Sequence, residues 1–190
     1  MFRLLVAWVG LAFIFFGGSA SLPSILLSVY GLGITFPALM ETSIGGQWAQ
    51  ATAWVVHGIA GSLIPLSASG TSISMTTSGG EVLTVLVNEK CSGAASISVF
   101  IAVFALMSLD TPLPGKTRIA MLLFGIAGTV AQNLLRLVLL LLAGYYAGPG
   151  AAADMEGMGG YVLFPLWYVL FAYVYLAYAA RYRKTLQPVS

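Results

Sequence analysis

The chain has 190 residues, of which 59% are hydrophobic and only 7% are charged, and its mean hydropathy is +0.94. A soluble domain of this length could not bury so much apolar surface, so the composition excludes that class and predicts that lipid is the main solvent. Eight basic and six acidic residues give a net charge of +2, which is too small to indicate a nucleic-acid partner.

Six apolar segments follow one another along the chain. A helix needs about 20 residues to cross the hydrocarbon core; the first segment is shorter than this and the fifth is longer. The predicted spans are Phe2–Phe16, Leu22–Met40, Trp48–Leu66, Ser92–Leu109, Ile119–Tyr146 and Gly160–Ala180. We therefore predict an all-α membrane protein, a bundle of about six transmembrane helices that forms a single integral membrane domain over residues 1–190.

The first apolar segment leaves a second interpretation open. Arg3 followed by a short apolar run also resembles a cleavable signal peptide. The next apolar segment begins almost at once, after the small residues 17–21. That spacing favours a retained helical hairpin.

Residues 67–90 form the longest segment outside the predicted spans and are rich in Ser, Thr and Gly. Within them, Thr71–Met75 and Val82–Val87 flank a glycine pair, and apolar and polar residues alternate in parts of both stretches. This pattern favours a small outer β-hairpin, with a polar loop as the alternative. The hairpin would end at Cys91 and hold that residue at a defined position.

Basic residues orient the predicted bundle. With six spans, Arg3, the pair Lys116 and Arg118, and the cluster at residues 181–184 all fall on one side. The positive-inside rule makes that side cytoplasmic. Both termini are then predicted to be cytoplasmic, and residues 67–90 lie on the outer side.

A lone thiol and an arginine within an apolar run fall at one predicted depth. Cys91 is the sole cysteine and precedes Asp110 by 19 residues, and Arg136 follows Arg118 by 18 residues. At 1.5 Å per residue, each lies about 27–29 Å from the cytoplasmic surface. The predicted site pairs a nucleophilic thiol with a cation that favours the thiolate or stabilises an oxyanion. The alternatives are a packed cysteine and an arginine in a structural ion pair.

Neighbouring residues add polar groups at this depth. Asn133 lies three residues before Arg136 on the same helix face, so its amide is predicted to bind substrate. Ser92 and Ser96, which follow the thiol, are predicted to bind substrate as well. Backbone N–H groups at the start of the span after Cys91 are candidates for holding a carbonyl oxygen.

At these positions the sequence resembles the exosortase/archaeosortase family of membrane transpeptidases. The resemblance covers about residues 80–180 and rests on Glu81-Val82, Cys91-Ser92-Gly93 with Ser96, and Asn133-Leu134-Leu135-Arg136. It implies that Cys91 is the nucleophile and Arg136 the assisting cation. It also implies membrane-anchored protein substrates that end in a sorting tail, made of a short motif, a transmembrane helix and a basic cluster.

The third position of the family pattern differs in this chain. The family usually has a histidine shortly before a glycine–aromatic pair, which here is Gly160-Tyr161, but the residue four before the glycine is Glu156. Glu156 is therefore the predicted third catalytic residue, and a solvated loop acid beside Asp154 is the alternative. The sole histidine, His57, lies mid-span in the prediction and is interpreted as a packing residue.

We therefore predict a membrane-embedded cysteine transpeptidase or protease that processes proteins with C-terminal sorting tails. It would be a multi-pass protein of the cytoplasmic membrane with its site facing outward. The alternatives are a non-catalytic relative that binds a tail helix or assists membrane assembly, and a small transporter, which no internal repeat favours. One Cys and one His at different depths cannot form a metal site, and we predict no cofactor.

Overall fold

The computed structural model describes residues 45–88 and 91–186 without a break, and residues 7, 10–11, 14–21, 24, 27–28 and 31 before them. A short 3-10 helix covers Gly17–Ala20. The predicted spans Phe2–Phe16 and Leu22–Met40 lie largely outside the described residues. The choice between a signal peptide and a helical hairpin is therefore not tested.

The described part contains three strands between helical segments. Helix α1 covers Gly45–Ala60, the strands are β1 (Ser67–Ser69), β2 (Ser72–Thr76) and β3 (Val82–Leu86), and helix α2 covers Ala94–Asp110. A helical stretch, Gly115–Leu186, follows.

The stretch Gly115–Leu186 is two helices joined at Gly148, where φ is 86° and ψ is 178°. Glycine adopts this positive φ without a Cβ clash, and Pro149 follows at the first position of the next helix, where its missing N–H costs little. We call residues 115–147 α3 and residues 149–186 α4. A Cβ on Gly144 would lie 3.2 Å from the Cβ of Ala152, so the chain reverses here.

Contacts between α3 and α4 recur every four residues as the two helices run away from the turn. The contacting pairs are Arg136 with Gly159, Gln132 with Leu163, and Gly128 with Trp167. Four residues are about one helical turn. The two helices therefore pack antiparallel, as a helical hairpin.

An aromatic core holds α2, α3 and α4 together at the end of the bundle far from the sheet. The rings of Phe100 and Phe171 meet edge to face, with centroids 4.8 Å apart. Gly125 on α3 allows this packing, because a Cβ there would overlap the Phe100 ring. The Tyr175 hydroxyl donates a 2.7 Å hydrogen bond to the carbonyl oxygen of Thr111, after α2.

A second core lies where α1 and the sheet pack against the part of α3 nearest Gly148. The sheet has the order β1-β2-β3, with both pairs antiparallel. Its buried residues, together with those of α1 and α3, are Ile73, Met75, Val87, Ala53, Val56, Ala60, Leu137 and Leu141. The structure confirms the two arms of the predicted hairpin as β2 and β3. It adds β1, whose Ser-Ala-Ser sequence has no apolar alternation to reveal a strand.

Several predicted boundaries were wrong. Helix α1 ends at Ala60 rather than continuing to Leu66, and the chain then leads into β1. Helix α4 begins at Pro149, eleven residues before the predicted Gly160. Asp154 and Glu156 therefore lie on a helix rather than in a loop, although both are exposed, as the alternative of solvated acids expects.

Two segments, Gly115–Gly157 and Gly159–Arg183, are long and apolar enough to cross a membrane, judged by length and composition. The first runs past the reversal at Gly148, so α3 supplies most of it. Large apolar side chains on them are exposed, among them Leu123, Val162 and Val169. Exposed side chains of this kind agree with lipid as the surrounding solvent. Only the described residues could be judged in this way, and two segments among them pass. Six spans therefore remain a prediction.

Candidate active site

The turn at Cys91–Gly93 places the thiol between the sheet and α2. The backbone N–H of Cys91 donates to Asn88, at 2.9 Å to the side-chain Oδ1 and 3.1 Å to the carbonyl oxygen. Gly93 then has φ 88° and ψ 3°, and α2 begins at the next residue. A Cβ on Gly93 would lie 2.9 Å from Cγ of Asn133. Glycine is therefore required here both by the positive φ and by the close approach of α3.

Asn133 connects the Cys91 peptide group to Arg136. Its Nδ2 donates a 3.0 Å hydrogen bond to the carbonyl oxygen of Cys91, and its Oδ1 accepts a 3.4 Å hydrogen bond from Nη2 of Arg136. Asn133 is 2% exposed and Arg136 is 7% exposed. The structure thus brings these three predicted site residues together. Both polar atoms of the Asn133 amide are hydrogen-bonded within this group, and the prediction that Asn133 binds substrate stays a prediction.

Arg136 retains an unused donor in this buried position. Among the residues that the structure describes, its Nε is buried without a hydrogen-bond partner. Within the described part of the chain, its hydrogen-bonded neighbour is the Asn133 amide, and the structural ion pair stays an alternative. A buried arginine with a free donor is costly unless something accepts from it. An oxygen of a bound substrate would satisfy Nε.

Helix α4 closes the site around the Arg136 side chain. A Cβ on Gly159 would lie 3.3 Å from both Cγ of Arg136 and Sδ of Met155. The small residue lets the α4 backbone cover the arginine methylenes. Gly159 therefore packs closely, whereas a Cβ on Gly150 or Gly157 would have no neighbour within 4 Å.

Trp48 is a site residue that the sequence did not reveal. Its indole Nε1 donates a 3.0 Å hydrogen bond to the carbonyl oxygen of Ser92, which is buried. The carbonyl oxygens of Cys91 and Ser92 therefore both accept hydrogen bonds from side chains, one from α3 and one from α1. No sequence signal indicates this contact, because the two residues are 44 positions apart and the acceptor is a backbone atom.

We expect Trp48→Phe to lower the catalytic rate about tenfold, because it removes one hydrogen bond from the turn while retaining most of the ring. Trp54→Phe is the matched control, since Trp54 lies on the same helix and is 77% exposed. The measurement is the rate of substrate processing by both variants at equal membrane levels. Equal rates for the two variants would contradict a positioning role for Trp48.

Ser96 lies one turn along α2 from the Cys91–Gly93 turn. Its carbonyl oxygen accepts a 2.8 Å hydrogen bond from the hydroxyl of Tyr168 on α4. Ser92 and Ser96 thus both contribute backbone carbonyls to contacts that fix the start of α2. The prediction that they bind substrate stays a prediction.

Glu156 and His57 are not part of this hydrogen-bonded group. Glu156 is exposed, on α4 one turn before Gly159. His57 lies in the last turn of α1, not in the middle of a helix as predicted. Nine residues separate it from Trp48, which is about 13 Å along a helix. The predicted place of His57 along the helix was wrong, and its interpretation as a packing residue stays a prediction.

Apolar helices that surround a thiol, an amide and a buried arginine define a membrane protein with a cysteine-centred site. Comparison with known proteins agrees with this class. The sequence model of the transmembrane exosortases matches residues 1–173. No curated protein and no solved structure gives a significant match.

The chain belongs to the transmembrane exosortase family. This family consists of membrane protein-sorting enzymes that are generally cysteine transpeptidases or proteases. The match begins at residue 1 and thus includes the N-terminal segments, which were too generic to contribute to the resemblance seen in the sequence.

Proposed function

We propose that this protein is a cysteine transpeptidase or protease that processes membrane-anchored proteins at a C-terminal sorting tail. The observation that carries the proposal is the hydrogen-bonded chain from Cys91 through Asn133 to the buried Arg136. A packed structural cysteine would not require a buried cation held beside its own peptide group. Family membership supports the same reaction class.

In the proposed reaction the thiolate of Cys91 attacks the carbonyl carbon of the scissile peptide bond. The resulting oxyanion accepts hydrogen bonds from Nε of Arg136 and from backbone N–H groups at the start of α2. The C–N bond then breaks, and the amine leaves with the proton that the thiol lost. A thioester on Cys91 remains, and an acceptor amine or water attacks it to release the product and restore the thiol.

We place the site on the outer side of the cytoplasmic membrane in a multi-pass protein. Support comes from the distribution of charge along the helical hairpin. Lys116 and Arg118 begin α3, and Arg181 and Arg183 end α4, so these four basic residues lie at the end of the bundle opposite the sheet. The positive-inside rule favours that end as cytoplasmic, which leaves the sheet and Cys91 toward the outside.

The experiment that tests the function co-expresses the chain with membrane proteins that end in a short motif, an apolar helix and a basic cluster. We expect a tailed protein to lose its tail, seen as a mobility shift and as a new C-terminus by mass spectrometry. Stable association of the two proteins without cleavage would favour the alternative, a non-catalytic relative that binds the tail helix. Neither cleavage nor association would contradict both.

Glu156 is proposed to transfer the proton between the thiol and the leaving amine, directly or through one water. We expect Glu156→Gln to reduce processing about a hundredfold, the usual size of a general-base contribution. Glu156→His should retain or raise activity, because imidazole accepts a proton without adding negative charge. The measurement is the initial rate of tail removal.

Asp154→Asn is the matched control for Glu156→Gln, since Asp154 is also exposed and lies two residues away on α4. It should process substrate at the wild-type rate. A normal rate for Glu156→Gln would make that carboxylate a surface acid, and the proton acceptor would then be another group.

A further inference from the structure

The outer edge of β3 has the features of a peptide-binding edge. The sheet order leaves β3 paired with β2 on one side, and no described strand pairs with its other side. The N–H of Val87 donates to the carbonyl oxygen of Thr71, at 2.9 Å. The backbone N–H and C=O of Val87 therefore point toward the β2 side. Because backbone groups alternate along an antiparallel strand, those of Val82, Thr84 and Leu86 point toward the open edge. The carbonyl oxygen of Leu86 already accepts a 3.0 Å hydrogen bond from the N–H of Asn88, so the pairing would rest on Val82, Thr84 and the N–H of Leu86.

Nothing in the sequence of β3 protects this edge. Exposed edge strands are usually blunted by lysine, proline or a bulge, since they otherwise pair with any extended chain. The sequence of β3 is Val-Leu-Thr-Val-Leu, in unbroken register with β2 from Val82 to Leu86. Val82 is 76% exposed and Leu86 is 56% exposed. An unprotected apolar edge of this kind is typical of a strand that accepts a partner.

The position of β3 selects the partner. The strand runs toward Cys91, which is five positions after Leu86 in the chain. The two residues are therefore at most about 17 Å apart. We propose that the substrate segment just before the scissile bond adds to β3 as a fourth strand. This inference rests on the proposed function and names how the same site recognises its substrate.

The direction of the added strand follows from the membrane anchor. The tail after the scissile bond enters the bilayer, so the residues before that bond must approach Cys91 from the sheet. The substrate therefore runs parallel to β3, and its paired residues lie within about ten positions before the scissile bond. Recognition through backbone hydrogen bonds tolerates varied side chains in this segment.

Thr84→Pro tests the proposal because the N–H of Thr84 points to the open edge and not to β2. Proline at such a position leaves the ladder with β2 intact but removes a donor and blocks the approach of another strand. We expect the KM for a tailed protein that the wild type processes to rise about tenfold or more, as expected for one or two lost hydrogen bonds, with kcat little changed. Thr84→Ala, which keeps the backbone N–H, should match the wild type.

Three results would overturn the proposal while leaving the proposed function intact, since wild-type processing is measured in the same assay. An unchanged KM for Thr84→Pro would show that the edge does not bind substrate. If Thr84→Pro loses kcat and melts at a lower temperature, Val82→Pro, at the first position of β3, replaces it as the test, and an unchanged KM for that variant would overturn the proposal. Conversion of a dimer to a monomer with unchanged KM would assign the edge to a second copy of the chain.

Discussion

Cys91→Ala should abolish removal of the sorting tail, with a loss of at least about a thousandfold in rate, as expected when a nucleophile is removed. The fold should survive, because Cys91 is only partly buried and its backbone contacts with Asn88 and Asn133 do not involve the sulfur. Cys91→Ser should be equally inactive, since a hydroxyl in the same place is a far weaker nucleophile. Processing is measured in membranes that contain equal amounts of each variant.

A displaced thiol provides the control for this prediction. Cys91 is the only cysteine, so Ser78→Cys in the Cys91→Ala background moves the single thiol to the exposed turn between β2 and β3. A membrane-impermeant maleimide should label the wild type and this double variant in intact cells, and it should not label Cys91→Ala. The double variant should be inactive. Wild-type processing by Cys91→Ala would exclude Cys91 as the nucleophile, and absence of labelling from outside would contradict the proposed orientation.

Arg136→Lys should reduce the rate about a hundredfold, although it keeps the charge, because lysine lacks the planar group with several fixed donors. In the structure one of those donors binds Asn133, and Nε is buried without a hydrogen-bond partner among the described residues. A lysine ammonium cannot hold the amide and reach an oxyanion with the same geometry. The loss should appear in kcat, since the free donor acts on charge that develops in the transition state.

Arg118→Lys is the matched control, since Arg118 is exposed on the same helix and lies at the opposite end of the bundle. Its rate should equal that of the wild type. Melting temperatures of both variants separate catalysis from stability, because lysine preserves the methylenes that pack against Gly159. A rate for Arg136→Lys close to wild type would mean that positive charge alone suffices, and the role given to Nε would be wrong.

The contact between Cys91 and the α3 residues was predictable because it follows from helix register. Two antiparallel helices joined by a short loop place residues at equal distances from that loop side by side. Cys91 and Asn133 satisfy this condition across the loop between Asp110 and Gly115, and the structure joins them by a hydrogen bond. The depth of both residues in the membrane could be predicted from the helical rise per residue alone.

The α4 side of the site could not be predicted in the same way. Residues 148–160 contain many glycines, and such a composition usually indicates a loop. Here Gly148 makes the reversal between helices, while Gly159 allows close packing on Arg136. The role of Gly159 depends on a tertiary contact that local sequence does not encode, whereas Gly148 acts through its own positive φ. Trp48 escaped notice for a related reason, since its partner is a distant backbone carbonyl.

Acylation of Cys91 can be observed by mass spectrometry of the trapped enzyme. The wild type is incubated with a tailed substrate without an acceptor, quenched in acid and digested. We predict that the peptide with Cys91 carries the substrate segment preceding the cleavage point as a thioester, that hydroxylamine releases it, and that Cys91→Ala gives no such adduct. Cleaved substrate together with an unmodified Cys91, or an adduct on another residue, would contradict the account.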